Sequence, residues 1–291
     1  MRAAEGRVPF RGYTTWYRVV GDEDAPGKLP LLCLHGGPGA PHDYLEPLEA
    51  LARTGRRVVF YDQLGCGNSD QPDDESLWTV ETFVDEVDAV RGALQLEEVH
   101  VFGNSWGGML ALEYALTHPD GLQSLVVSSS PSSIPMWAEE ANRLRSELPK
   151  HVQRVLDEAD PESPEYHDAE LEFYRRHVCR VDPWPDCVQR TFDRLAAPVY
   201  NHMQGPNEFV ITGTLKHWDI TSRLPEIDVP TLVTSGRYDE CTPRIAETVQ
   251  RWIPGAEWVV FAQSSHLAFV EEPKRYLAVL DAFLARVEAW T

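Results

Sequence analysis

Residues 99–108 read Val-His-Val-Phe-Gly-Asn-Ser-Trp-Gly-Gly, and this stretch decides the fold. An apolar run, 99–102, leads into Gly103-Asn104-Ser105-Trp106-Gly107, and a helical run, 108–117, follows. A serine at the centre of G-x-S-x-G, between a strand and a helix, predicts a nucleophile elbow. The turn is so sharp that it needs small residues on both sides. It lifts the Ser105 hydroxyl out of the sheet and aims a helix N-terminus at the reacting centre. Glycine and serine are common turn residues, so the pentapeptide alone is only moderately specific. The strand before it and the helix after it give the pattern its force.

Working outward, short runs that are apolar throughout recur at 29–34, 58–61, 99–102 and 125–127. Such runs predict parallel strands buried on both faces. Amphipathic helical stretches at 45–53, 80–94 and 109–117 lie between them, and His118-Pro119 ends the last. Alternating strands and helices imply a doubly wound, mostly parallel α/β sheet. Upstream, 13–20 reads as an antiparallel edge strand. The rhythm breaks from 131 to 224, a helical and charged segment with Pro-rich turns such as Val181-Asp182-Pro183-Trp184-Pro185. Strand patterns return at 231–234 and 258–261, and a helix is predicted from about 273 to 289. The expected organisation is a core of 1–130 and 225–291, with 131–224 inserted as a helical cap over the strand ends, where it can shape a substrate pocket.

At 291 residues and 43% hydrophobic content, the chain can bury a large core. It has no run of 18 apolar residues, and the first ten residues are charged at Arg2, Glu5 and Arg7, so a cytoplasmic protein is expected. The five cysteines are odd in number and show no C-x-x-C spacing, which argues against a disulfide framework or a metal site. Whether Cys179 and Cys187 pair stays open. The net charge of −20, from 26 basic and 46 acidic residues, makes nucleic acid and anionic membranes poor partners. It would steer a cationic substrate inward, although solubility alone explains the bulk charge.

A serine hydroxyl needs a base beside it. The two returning strands end in Gly236-Arg237-Tyr238-Asp239 and in Ala262-Gln263-Ser264-Ser265-His266. Chemistry in open α/β sheets gathers at such strand ends. Ser105 as nucleophile, His266 as general base and then acid, and Asp239 as the group orienting the imidazole follow the order Ser, Asp, His. Glu240 is a rival to Asp239. A tetrahedral intermediate also needs N–H donors. Trp106, directly after the nucleophile, is one candidate. Gly37, in the His35-Gly36-Gly37-Pro38-Gly39 loop after the first buried strand, is the other. The stretch 62–69 reads as structural, with Asp62 holding loop amides. Trp137 and Trp184 are candidates for the pocket wall, although buried cap aromatics are more often core.

Three segments together resemble the prolyl aminopeptidase (proline iminopeptidase) family of α/β-hydrolases: 35–39, Asp62-Gln63-Leu64-Gly65-Cys66-Gly67-Asn68-Ser69, and 103–108. Gly205-Pro206-Asn207-Glu208-Phe209 and Tyr238-Asp239-Glu240 resemble its tricorn-interacting aminopeptidase branch. The resemblance implies an exopeptidase releasing N-terminal residues, often proline, from short peptides, with no metal and no organic cofactor. It also implies that Glu208 and Glu240 grip the substrate's free α-amine. The physics agrees, because an ammonium in a dry pocket needs a carboxylate partner. An amino-acid amidase needs the same triad and the same grip. An esterase or lactonase is disfavoured, since carboxylates beside a neutral acyl group would be desolvated without compensation. A non-catalytic binding protein ranks last, because all three triad residues are present. Whether an upstream protease supplies the peptides is left open.

Overall fold

The computed structural model describes residues 2–161 and 163–289. Strands β1 (Ala3–Phe10) and β2 (Tyr13–Val20) form an antiparallel hairpin. Arg11 and Gly12 turn it with φ of 46° and 87°, the mirror-image turn that matches strand twist. Strands β3 (Leu31–Leu34), β4 (Val58–Tyr61), β5 (Val99–Asn104), β6 (Leu122–Ser128), β7 (Thr231–Gly236) and β8 (Glu257–Phe261) complete one sheet, ordered β1-β2-β4-β3-β5-β6-β7-β8. From β4 to β8 every pairing is parallel, and β2 joins β4 antiparallel. Residues 13–20 are therefore a strand as expected, but not the edge. The edge is β1, whose segment carries Glu5 and Arg7 and buries only Val8 and Phe10, so it has no apolar run to announce it.

The central strands are buried on both faces. Leu32, Leu34, Val99, Val101, Leu125 and Val127 pack into one apolar layer. Leu31, Cys33, Val58, Phe60, Phe102 and Val126 pack into the other. Helices α1 (Val80–Ala93) and α2 (Trp106–Ala115) belong to the first layer. A helical segment at His42–Thr54 belongs to the second. That segment is 3-10 rather than α, and it carries Pro47 in its interior. Chain order reverses at β3, whose neighbours are β4 and β5. The loops after β3 and β5 diverge there and open a crevice at the strand ends.

Between β6 and β7 the chain forms α3 (Ile134–Ser146), α4 (Lys150–Glu158), α5 (Pro164–His177), α6 (Asp186–Asp193) and α7 (Ala197–Met203). Ser133 and Ser163 cap α3 and α5 with their hydroxyls. The two ends of this segment lie side by side. Ile134 N–H donates to the Trp218 carbonyl at 2.9 Å, and Ile220 N–H donates to that of Ser132 at 2.9 Å. The segment does not carry a separate core. Trp137, Phe173, Met203 and Phe209 join the same apolar layer as Leu34, Trp106 and Met109. Helices α8 (Pro243–Trp252), α9 (Ala268–Glu271) and α10 (Pro273–Glu288) finish the chain. Among the described residues no helix is long and apolar enough to cross a membrane.

Candidate active site

Ser105 sits between β5 and α2 with φ 57° and ψ −126°, a strained backbone for a residue with a Cβ. Contacts on both sides hold it. Its N–H donates to the Ser128 carbonyl at 3.0 Å, and its own carbonyl accepts Gly108 N–H at 2.9 Å. The flanking glycines are sterically required. A Cβ on Gly103 would lie 2.1 Å from the Gly107 carbonyl oxygen, and one on Gly107 would lie 2.1 Å from that of Leu34. Strand, helix and neighbouring strand thus touch through bare backbone.

Asp239 follows β7 and His266 follows β8, both at the strand ends where Ser105 lies. His266 Nδ1–H donates to Asp239 Oδ1 at 2.8 Å. The same carboxylate accepts Cys241 N–H at 2.8 Å and Gly236 N–H at 3.3 Å. Glu240, the rival acid, is instead 3.8 Å from Nε2. The Asp239 bond places the proton on Nδ1 and leaves Nε2 as the basic nitrogen. The Trp137 ring stands edge-on to the imidazole, 6.0 Å between centroids.

Gly37 has φ 107°, open to glycine and strained for other residues. Trp106 is the first residue of α2, so no earlier helical carbonyl can take its N–H. Two side-chain braces fix the backbone around them. Tyr44 Oη accepts Gly36 N–H at 2.7 Å and donates to Asn104 Oδ1 at 2.9 Å. Gln63 Nε2 donates to the His35 carbonyl at 2.9 Å, while its Oε1 accepts Trp106 Nε1–H at 2.8 Å. One glutamine therefore ties the glycine loop to the elbow helix. Asp62 holds loop amides, accepting His42 N–H at 2.9 Å and Asn68 N–H at 2.8 Å.

A cavity of about 210 Å³ opens on Ser105 and His266. Its wall includes Gly37, Glu208 and Glu240, and a third carboxylate, Glu170 from α5. Glu240 is 2% exposed, and its Oε2 has no hydrogen-bond partner among the described residues. Burial, with Glu208 and then Asp239 nearby, pushes its pKa well above the carboxylate range. Glu208 Oε1 accepts the Tyr200 hydroxyl at 2.6 Å. Burial raises the Glu208 pKa, against the pull of the Tyr200 hydrogen bond and of His266. Two acids held this way, one with an oxygen unanswered, make a site that lacks positive charge. Trp137 and Trp184 do not form this wall. Trp137 borders a smaller cleft beside Ser105, and Trp184 packs tilted against Phe192, 4.8 Å between ring centroids. Cys179 and Cys187 are free thiols.

The α/β hydrolase fold model matches residues 30–273. The proline iminopeptidase of Lactobacillus helveticus is 42% identical over 292 residues, covering 98% of this chain and 98% of its own. The chain belongs to the proline iminopeptidase family of α/β hydrolases. Solved structures agree. The proline iminopeptidase of Mycobacterium smegmatis superposes with a TM-score of 0.92 at 42% identity, covering 98% of this chain and 99% of that one. VinJ superposes at 0.95, also at 42% identity, with 98% and 99% covered.

Within this proline iminopeptidase fold, several residues at the site gave no sequence signal. His177, the last residue of α5, is the clearest. Its carbonyl accepts the N–H of both Glu240 and His266, each at 3.2 Å. Its ring Nδ1–H donates to the Tyr238 carbonyl at 2.8 Å. A backbone oxygen carries half of this contact, so no residue type could advertise it. Glu170 and Tyr174 reach the cavity only through the packing of α5. Gln63 lies in the 62–69 stretch, which reads as structural, and its place two residues past β4 is the available clue.

Proposed function

We propose that this protein is a serine aminopeptidase that releases N-terminal residues, proline foremost, from short peptides. The observation that carries the reading is Glu240 Oε2, buried without a partner in the same cavity wall as Ser105, His266 and Glu208. An ammonium there gains a charge-assisted hydrogen bond from an oxygen that otherwise has none. Glu208 and Glu240 bind the α-amine, which sets the first peptide bond against Ser105. Ser105 Oγ attacks the carbonyl carbon as His266 Nε2 takes its proton. Asp239 steadies the imidazolium, and the N–H groups of Gly37 and Trp106 receive the oxyanion. His266 then gives the proton to the departing amine, and water repeats the sequence on the acyl-enzyme. Residues 131–224 act as a cap on a core of 1–130 and 225–291. The working location is the cytoplasm, on short peptides with a free N-terminus.

The test is hydrolysis of chromogenic proline, alanine and phenylalanine amides, each against its N-acetylated twin. Cleavage of the free-amine forms alone is the expected result. Equal cleavage of the acetylated forms would remove the amine grip and leave a general amidase or esterase.

A further inference from the structure

Asp239 fixes the His266 imidazole at the ring, but a ring points no better than its backbone is held. The loop that carries it, 262–266, lies past the end of β8. Two consecutive carboxylates grip that loop, one at the end of α9 and one directly after it. Glu272 Oε2 accepts Gln263 N–H at 3.0 Å and the Ser264 hydroxyl at 2.7 Å. Glu271 Oε2 accepts Ser265 N–H at 2.7 Å, and its Oε1 accepts the Ser265 hydroxyl at 2.9 Å. The two acids are not equivalent. Glu272 holds the outer half of the loop and lies 3.5 Å from Arg275. Glu271 holds the residue directly before the base. Ser265 is fully buried, where an N–H without an acceptor is costly.

Glu271 also reaches a third donor. Its Oε1 accepts Arg180 N–H at 2.8 Å, from the linker between α5 and α6. That linker runs beside the histidine loop. His266 N–H donates to the His177 carbonyl and Leu267 N–H to that of Val178, each at 3.2 Å. All three donors to Glu271 are neutral. Burial pushes its pKa up, and the hydrogen bonds from Arg180 and Ser265 pull it back. The Arg180 guanidinium lies over the Tyr238 ring, 4.0 Å from its centroid.

We infer that Glu271 is a positioning residue for the reaction. By holding Ser265 at both backbone and side chain, it sets the direction of the His266 imidazole relative to Ser105. By holding Arg180, it keeps the segment between β6 and β7 in register with the base. The inference rests on the triad proposed above. A base displaced by a fraction of an ångström transfers its proton more slowly, while the substrate binds as before.

The experiment measures kcat and KM on H-Pro p-nitroanilide per active site, with sites counted by complete labelling with a fluorophosphonate. Glu271→Met keeps the bulk and removes both acceptors. Its kcat should fall by about tenfold or more, at a KM within about twofold of the parent. Glu271→Gln keeps one acceptor oxygen, enough for Ser265 N–H, and should recover kcat to within about threefold of the parent. Parental kcat in Glu271→Met would overturn the inference, and so would a loss carried by KM alone or an equal loss in both variants. Should Glu271→Met not fold, Ser265→Ala carries the test, because it removes the hydroxyl half of the grip and leaves the backbone. A kcat about threefold lower at unchanged KM is then expected, and parental kcat would overturn the inference. A parent enzyme that takes no fluorophosphonate label would instead overturn the serine mechanism, an outcome distinct from all of these.

Discussion

The two walls of the cavity are built in different ways. The wall from the sheet is backbone. Gly37, Gly103 and Gly107 sit where neighbouring backbone lies too close to admit a Cβ, and side chains such as Tyr44 and Gln63 serve to fix the loop and the helix in place. The wall from the segment between β6 and β7 is side chain. Glu170, Tyr174, Tyr200 and Glu208 reach inward from helices and a loop. The first wall offers geometry and the second offers charge. Bond-breaking chemistry needs donors and a nucleophile held to fractions of an ångström, which close-packed backbone can do. Choosing a substrate needs complementarity that differs between relatives, which side chains can vary without rebuilding the sheet.

The strongest way to break this division is at Ser105. Ser105→Ala should lower kcat by about 10⁴-fold or more while the melting temperature holds, since the hydroxyl is the chemistry and the turn remains. Activity near that of the parent would show that the sheet wall does not perform the reaction. The recognition wall should fail differently. Glu208→Ala should cost about 2–5 kcal/mol in kcat/KM on free-amine substrates and little on N-acylated ones. Equal losses on both would make Glu208 a structural residue. Gly107→Ala tests the backbone wall, because its Cβ would lie 2.1 Å from the Leu34 carbonyl oxygen. We expect a loss of about 3 kcal/mol in denaturant unfolding, with activity falling on every substrate alike. A mild effect would mean that strand β3 and the elbow can part.

The smallest effect sharpens the charge of the second wall. A buried carboxylate with a raised pKa holds its proton longer when folded than when unfolded. Its contribution to stability is therefore present at acid pH and is lost as pH rises from the ordinary carboxylate range through the raised value. Glu240→Gln removes that loss. The variant should gain melting temperature over the parent, by a margin that widens as pH rises above the ordinary carboxylate range, while its turnover of free-amine substrates drops. A margin independent of pH would show that Glu240 is not titrating in the fold.

The sheet was legible in the sequence because its strands are buried on both faces. Continuous apolar runs such as 58–61 and 99–102 leave few other readings. The elbow was legible because backbone contact demands glycine at 103 and 107. The order of strand ends placed Asp239 and His266 together, and geometry puts Asp239 rather than Glu240 on the imidazole Nδ1. What escaped was tertiary. Strand β1 is mostly exposed and its small and apolar residues are interrupted by Glu5 and Arg7, so only its pairing with β2 makes it a strand. The 3-10 geometry of 42–54 was hidden by an amphipathic pattern that an α-helix would also show. The cavity role of Glu170 depends on how α5 lies against the 206–209 loop, a relation between distant parts of the chain.

One carbonyl, that of His177, receives the backbone amides of both His266 and Glu240. In mechanical terms it is a clasp with two tongues. If the end of α5 lifted to admit or release a peptide, the imidazole loop and the Glu240 loop would be let go together. A scan of side chains would read only the ring half of this clasp, because the other half is written in chain length. For anyone exchanging this segment between relatives, keeping the register of α5 matters more than keeping its sequence.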